Sequence, residues 1–199
     1  MDEDTEGKTQ DIILISAHNF VPGTGALSFD GVKVILGKLW DRAASFLHVI
    51  TVSPVGVIPF LKSVGVSPNI LEEVYYSATP YAWENRAIKW RARPLKTVTS
   101  IMPTDPADDF LRQKLIEDLS ENAKEEIAFE LGIQFQENPE TEPIDESGVI
   151  WKTKFKPVAT IIIPKQNLNT EERLCEDVKM TFSPGHAMVE HKPLGSVNA

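Results

Sequence analysis

The sequence is poor in the residues that build several common kinds of site. A single cysteine, Cys175, among 199 residues excludes an internal disulfide and any zinc or iron–sulfur site made of several cysteines. Glu176 and Asp177 follow it directly and disfavour a reactive thiolate. Long apolar runs are also absent. The longest, 12–15 and 159–163, are far shorter than the roughly 20 residues that a membrane helix needs.

Positive charge is scarce as well. The chain has 20 Lys and Arg against 29 Asp and Glu, a net charge of −9, and Asp2, Glu3, Asp4 and Glu6 crowd its start. This balance argues against a nucleic-acid partner, which requires a basic stripe, and against an anionic membrane surface. Met1 is followed by acids rather than by the basic and apolar regions of a signal peptide. We therefore expect a cytoplasmic protein without a membrane span.

The rest of the composition is that of an ordinary globular domain, with 42% hydrophobic and 25% charged residues. Apolar periodicity predicts strands and helices in mixed order. The predicted strands are 12–15, 87–92, 127–136, 149–151 and 156–163; the predicted helices are 32–50, 67–74 and 105–124, and the charged stretch 167–180 is a further short helix. Strands and helices in this order predict an α+β fold with a largely antiparallel sheet.

Motifs for zinc binding, for a catalytic nucleophile and for phosphate binding are missing or incomplete. The spacing of His186, Glu190 and His191 differs from that of zinc peptidases, so we expect turn and capping hydrogen bonds there. The sequence contains neither a G-x-S-x-G motif nor a Cys/His pair, so nothing in it indicates a catalytic nucleophile. The two glycines within 22–26 lack both G-x-G-x-x-G and a Lys-Ser/Thr pair, which makes a phosphate cradle improbable.

The carboxyl end of the chain carries the most distinctive pattern. Pro184-Gly185 and Pro193 with Gly195 predict two stiff corners, because proline fixes φ and glycine can adopt a positive φ. Across these corners, the order F-x-P-x-H followed by E-H-x-P-L-G-x-x-N resembles the segment of small catalase-like haem proteins that leads into their proximal haem helix. Other stretches resemble that family in the same order: 9–15 its T-Q-D strand, 75–81 with 87–89 its Y-Y-S-x-x-P-Y segment and next strand, and 143–145, Trp151 and 158–166 its last barrel strands.

This resemblance implies a fold and a cofactor. It implies a catalase-type antiparallel β-barrel, here partial, with helices packed outside it, and haem as the cofactor. Residues 1–199 would form one domain that lacks the N-terminal segment with the distal histidine and the C-terminal segment with the proximal tyrosine. In the family those residues precede the T-Q-D strand and follow the P-L-G-x-x-N segment, so neither can be assigned here. Tyr75, Tyr76 and Tyr81 match a different segment.

The resemblance also implies four haem-contacting residues. Ser16 stands where the family commonly has an amide that orients peroxide, and its hydroxyl could hydrogen-bond peroxide or water. Phe20 would face the distal pocket, and Phe182 and Pro184 would border the proximal side. The plainer interpretation of these last three is that they are core and turn residues. We expect no catalytic residue and no metal ligand within the chain.

Two functions from different classes follow. The first is a catalase-like haem oxidoreductase acting on peroxide or on an organic or lipid hydroperoxide, in an inactive or incomplete form. The alternative is a non-enzymatic barrel remnant that binds an apolar ligand or self-associates, because an unpaired strand edge seeks a partner. A homo-oligomer is compatible with both.

Overall fold

The computed structural model describes residues 9–16, 67–77, 79–96, 99–146 and 149–195. The predicted helix 32–50 and the predicted haem contact Phe20 lie outside these residues. The described elements are the strands β1 Leu14–Ile15, β2 Tyr75–Ser77, β3 Tyr81–Trp83, β4 Arg86–Pro94, β5 Ile127–Phe135 and β6 Lys156–Ile163, the helices α1 Phe110–Leu119 and α2 Glu171–Lys179, and 3-10 turns at Ile70–Glu72 and Val189–His191.

The strands form one antiparallel sheet, which confirms the expected sheet type. Their order is β1-β2-β4-β5-β6, with β3 beside β4. Within the described residues the sheet is open, because β1 and β6 lie at opposite ends of this order. The fold is therefore an antiparallel sheet with two helices, and the closed barrel stays a prediction.

The centre of the sheet is the long pairing of β4 with β5. Ile88 lies opposite Phe135 and Trp90 opposite Ile133, so the alternating apolar side chains of both strands meet on one face. Ile88, Trp90 and Ile133 form a buried cluster with Tyr81 of β3, and Phe135 packs against it half-buried. The predicted strands 87–92 and 127–136 are thereby confirmed, with β4 extending over both ends of its predicted range.

A second buried cluster attaches α1 to the sheet. Leu119 at the end of α1 packs with Leu71, Ala92 and Phe129. These side chains come from the helix, a 3-10 turn and two neighbouring strands, so the contact fixes α1 against the sheet. The helix is shorter than the predicted 105–124 and begins after Asp109.

Other predictions are wrong in detail. The helix predicted for 67–74 is a single 3-10 turn capped by Asn69, whose Oδ1 accepts the backbone N–H of Leu71 at 2.9 Å. Residues 149–151 are not a strand. The reason is that Trp151 turns inward and is 2% exposed, and its carbonyl accepts a hydrogen bond from the Gln134 side chain at 3.1 Å instead of joining a ladder.

A charged side chain of the predicted strand 87–92 is buried. Lys89 is only 8% exposed. Its Nζ lies 4.8 Å from the centre of the Trp151 ring, so the loop that was predicted to be a strand covers this part of the sheet. The apolar stretch 12–15 is half-buried, with Ile12 37% exposed.

Candidate functional site

Residues 182–195, named here the corner segment, lie beside the residues that lead into β1. The backbone N–H of Asp11 donates to the His186 carbonyl at 2.9 Å, and the Asp11 carboxylate Oδ2 accepts the N–H of Ser183 at 2.9 Å. Asp11 Oδ1 lies 3.2 Å from Nδ1 of His186, and the opposite ring nitrogen, Nε2, lies 2.9 Å from the Thr9 hydroxyl. Carboxylate, imidazole and hydroxyl therefore form one connected chain.

The second half of the corner segment lies along β3. The N–H of Ala82 donates to the Lys192 carbonyl at 2.8 Å, and the N–H of Leu194 donates to Pro80 at 2.7 Å. The His191 ring lies 4.7 Å from the Trp83 ring, centre to centre. Short backbone hydrogen bonds of this kind fix the path of the chain, so the corner segment enters the fold as an irregular extra strand.

Gly195 ends the corner segment in a conformation that suits glycine alone. Its φ is +91°, and a Cβ placed there would lie 2.8 Å from the carbonyl oxygen of Ile144. The second predicted corner therefore depends on the absence of a side chain. The first corner, at Gly185, has no such requirement, because among the described residues Gly195 is the glycine with a positive φ. The N–H of Gly185 donates to the Ser183 hydroxyl at 3.2 Å.

The residues predicted to contact haem are dispersed. Phe182 is 70% exposed, Pro184 and Ser16 are exposed, and Phe20 lies outside the described residues. Phe182 and Pro184 flank Ser183, whose N–H donates to Asp11 before β1, whereas Ser16 directly follows β1. Within the described residues no hydrogen bond joins Ser16 to the corner segment.

The three tyrosines of the chain do not fit the role of an iron ligand. The Tyr75 hydroxyl donates to the Ile70 carbonyl at 2.6 Å, and burial followed by the charge of Glu73 raises the pKa of this phenol. Tyr81 is 2% exposed, and burial raises its pKa as well. Tyr76 packs against the Phe155 ring at 5.9 Å. A tyrosinate ligand needs an accessible, readily ionised phenol. These three side chains are instead hydrogen-bonded, buried or packed against another ring within the sheet.

Haem therefore fits the described residues only in part. Phe182 and Pro184 offer exposed apolar surface for a porphyrin, but none of the three tyrosines fits as a tyrosinate ligand to the iron. They likewise contain no group of three or more His, Cys, Asp or Glu side chains that could hold a metal ion. The described helices include none long and apolar enough to cross a membrane.

A cavity of about 650 Å³ lies elsewhere, between α1 and the start of β5. It is bordered by a satisfied polar network: Asn69 donates to Asp118 at 2.7 Å, Lys114 donates to the same carboxylate at 2.7 Å, and Glu72 accepts from Ser100 at 2.6 and 2.8 Å. Leu71, Pro94, Ile127 and Ala128 also line the cavity, so its lining is mixed polar and apolar.

Sequence reasoning missed the polar residues that hold the corner segment. Thr9 and Asp11 meet His186 from positions more than 170 residues away, and no local pattern reveals such a pair. Three hydrogen-bonding side chains, those of residues 9–11, do stand directly before the apolar run 12–15. The buried carboxylate of Glu142, 3% exposed, was also missed, although its backbone partners lie only 4 to 11 residues away.

Comparison with known proteins supports the fold alone. No family model matches the chain, and no curated protein sequence matches it. Among solved structures, a fungal catalase is similar at 16% identity with a TM-score of 0.57, and catalase A from Saccharomyces cerevisiae at 14% identity with a TM-score of 0.53. Each match covers 75% of this chain and 34% of the catalase chain, so this chain spans about a third of their length. The fold is catalase-like.

Proposed function

We propose, from the catalase-like fold, that this chain belongs in function with the catalase-like haem oxidoreductases. Peroxide or an organic hydroperoxide is then the substrate class, haem the cofactor and the cytoplasm the compartment. The observation that carries the proposal is the structural match to two solved catalases over three quarters of the chain. The residues of 1–199 form one catalase-like domain.

Within this proposal the described residues supply a scaffold. The corner segment is held on one side by Asp11 and on the other by β3, so the direction in which it leaves Gly195 is fixed. Phe182 and Pro184 then offer apolar contact to a porphyrin, and Ser16 offers a hydroxyl to the opposite side. Because none of the three tyrosines fits as the iron ligand, no catalytic step is assigned, and we infer that this chain by itself does not turn over peroxide.

A comparison of haemin with iron-free protoporphyrin IX tests the proposal. If the contact is apolar and the iron has no ligand, the purified chain binds both with similar affinity, and haemin gives a broad Soret band without peroxide consumption. Phe182→Ser weakens both equally, whereas Val189→Ser, at an exposed apolar residue of the same segment (81% exposed), changes neither.

The first of two other results would contradict the inference that the chain is inactive and would support the oxidoreductase assignment; the second would contradict that assignment. A stoichiometric, sharp and shifted Soret band with peroxide turnover means that the chain contains an iron ligand. Absence of binding for both porphyrins means that the catalase-like fold serves another function here.

A second function, a self-association module, is favoured by one observation. The stretch from α2 to the corner segment exposes Leu174 at 46%, Val178 at 86%, Met180 at 56% and Phe182 at 70%, and α2 has no buried residue. Apolar side chains exposed together favour contact with a second copy. Light scattering over a range of concentrations tests this: a dimer that Val178→Glu converts to monomer supports self-association, and a monomer at all concentrations contradicts it.

A further inference from the structure

We propose that the free edge of β6 is a docking site for an extended peptide segment with an apolar centre and carboxylates at both ends. Within the described part of the chain, β6 pairs with β5 on one side and with no strand on the other. This site is separate from the corner segment and does not depend on haem.

The edge is open to backbone pairing over six residues. Positions 156–162 are all exposed, with Val158 at 49%, Ile161 at 40% and Ile162 at 59%. Natural sheets protect an edge with charges, proline or a bulge. Here such devices stand at the start of the strand, where Lys156 and Pro157 precede an irregularity in the pairing with β5. From Val158 to Ile163 the edge carries β-branched and small residues without a charge.

Positive charge flanks this apolar edge on both sides. Lys152, Lys154 and Lys156 are exposed before it, Lys165 follows it, and no acid occurs between Trp151 and Gln166. In a chain of net charge −9, this is a local reversal of sign. None of the four lysines forms an ion pair with a carboxylate of the described residues, so their charge is available to a partner.

Charge also argues against a second copy of β6 as the occupant. Antiparallel pairing of two β6 strands about Thr160 would bring Lys165 of one copy close to the lysines that precede Pro157 in the other. Like charges at both ends of a paired strand are unfavourable. An extended segment with acidic ends would instead attract the lysines at both ends of β6. Its backbone would hydrogen-bond to the free edge of β6, which is recognition by strand addition.

The proposal is tested with a labelled synthetic peptide, Glu-Asp-Val-Thr-Val-Thr-Val-Asp-Glu, and the full chain in a fluorescence anisotropy titration. We expect saturable binding that weakens as salt screens the charges. Replacing the four acids of the peptide by lysines abolishes binding. Methylating alternate peptide nitrogens, which removes the ladder donors without altering the protein, lowers affinity by about tenfold or more.

A matched pair of double variants locates the site. Lys154→Glu with Lys156→Glu lowers peptide affinity about tenfold, while Lys179→Glu with Lys192→Glu, at exposed lysines outside β6 and its flanking residues, makes the same change in net charge and alters affinity by less than about twofold. Amide resonances of 158–163 shift and gain protection from exchange on addition of peptide.

Equal binding of the methylated or lysine peptides overturns the proposal. So do equal effects of the two double variants, and so does a concentration-dependent dimer that protects the same amides without peptide.

Discussion

Asp11 holds His186 at two points. Its backbone N–H donates to the His186 carbonyl at 2.9 Å, and its carboxylate Oδ1 lies 3.2 Å from Nδ1 of the ring. The second carboxylate oxygen accepts the N–H of Ser183. One side chain thus connects the approach to β1 with the first turn of the corner segment, 172 residues further along, and this connection positions the residues that resemble the approach to a haem.

Removal of the Asp11 carboxylate is expected to loosen this connection. Asp11→Ala should lower the free energy of unfolding by about 1–2 kcal/mol, because the Ser183 N–H and the imidazole each lose a partner. Asp11→Asn keeps an acceptor and should lose less. Urea unfolding measures both, with Glu190→Ala, an exposed residue of the same segment, as the control. If Asp11→Ala and Glu190→Ala are equally stable, the carboxylate does not anchor the segment.

The two glycines of the corner segment should differ sharply in tolerance. Gly195→Ala should cost about 1–3 kcal/mol, since it combines an unfavourable φ with a Cβ 2.8 Å from the Ile144 carbonyl. Gly185→Ala is the matched control, because its Cβ would meet only the Ser183 hydroxyl at 3.5 Å, and its effect should stay within about 0.5 kcal/mol. Thermal unfolding of the two variants measures this difference. Similar losses of stability in both would mean that the second corner is not a glycine-specific turn.

Lys89 should make stability depend on alkaline pH. Burial, opposed by the charge of Glu142, lowers its pKa from 10.5 to about 8. The unfolded chain therefore binds more protons than the folded one above about pH 8, and stability rises with pH in that window. At about 1.4 kcal/mol for each pH unit that separates the two pKa values, the gain up to pH 10.5 is on the order of 3 kcal/mol.

Lys89→Met isolates this contribution. The variant should lack the rise between pH 8 and 10 that the unaltered chain shows in urea titrations, because methionine has no proton to lose. The control is Lys156→Met, which removes an exposed lysine that also lies over a ring, that of Phe135 at 5.7 Å; it should keep the rise. A Lys89→Met profile parallel to the original would mean that the ammonium is well solvated in the folded state.

Glu142 should make the free energy of unfolding depend on pH in the acidic range. Burial alone would raise its pKa, but the backbone N–H groups of Glu137, Thr153 and Asn138 donate to the carboxylate, and the net effect lowers the pKa below its ordinary value of 4.5. Its stabilising contribution is therefore present above about pH 4.5 and is lost as the pH falls through the lower pKa of the folded state.

Glu142→Gln should lower the free energy of unfolding at neutral pH by about 2–3 kcal/mol, because an amide accepts fewer of these donors and adds two of its own. The difference from the unaltered chain should shrink below pH 4.5. Glu146→Gln, at an exposed carboxylate of the same loop, should have little effect at any pH. A constant difference between Glu142→Gln and the original across this range would show that charge is not the cause.

Regular apolar periodicity carried most of the correct fold predictions. The period of two in 127–136 and the alternation in 87–92 predicted β5 and β4, and these strands pair with each other. Both patterns are local, and a strand with one apolar face has few other ways to bury it. The 149–151 prediction was wrong because a short apolar run does not say whether its backbone joins a ladder or its tryptophan enters the core.

By itself the sequence determined the long strands β4, β5 and β6, the sign of the surface charge and the need for a turn at Gly195, since these follow from residue type and spacing along the chain. Only the tertiary structure decided that Asp11 meets His186, that Lys89 is buried beneath Trp151, and that β6 has no second strand beside it among the residues that the structure describes. The physical reason is distance. Such contacts join residues far apart in the chain, and their energies depend on burial and partners that exist only after folding.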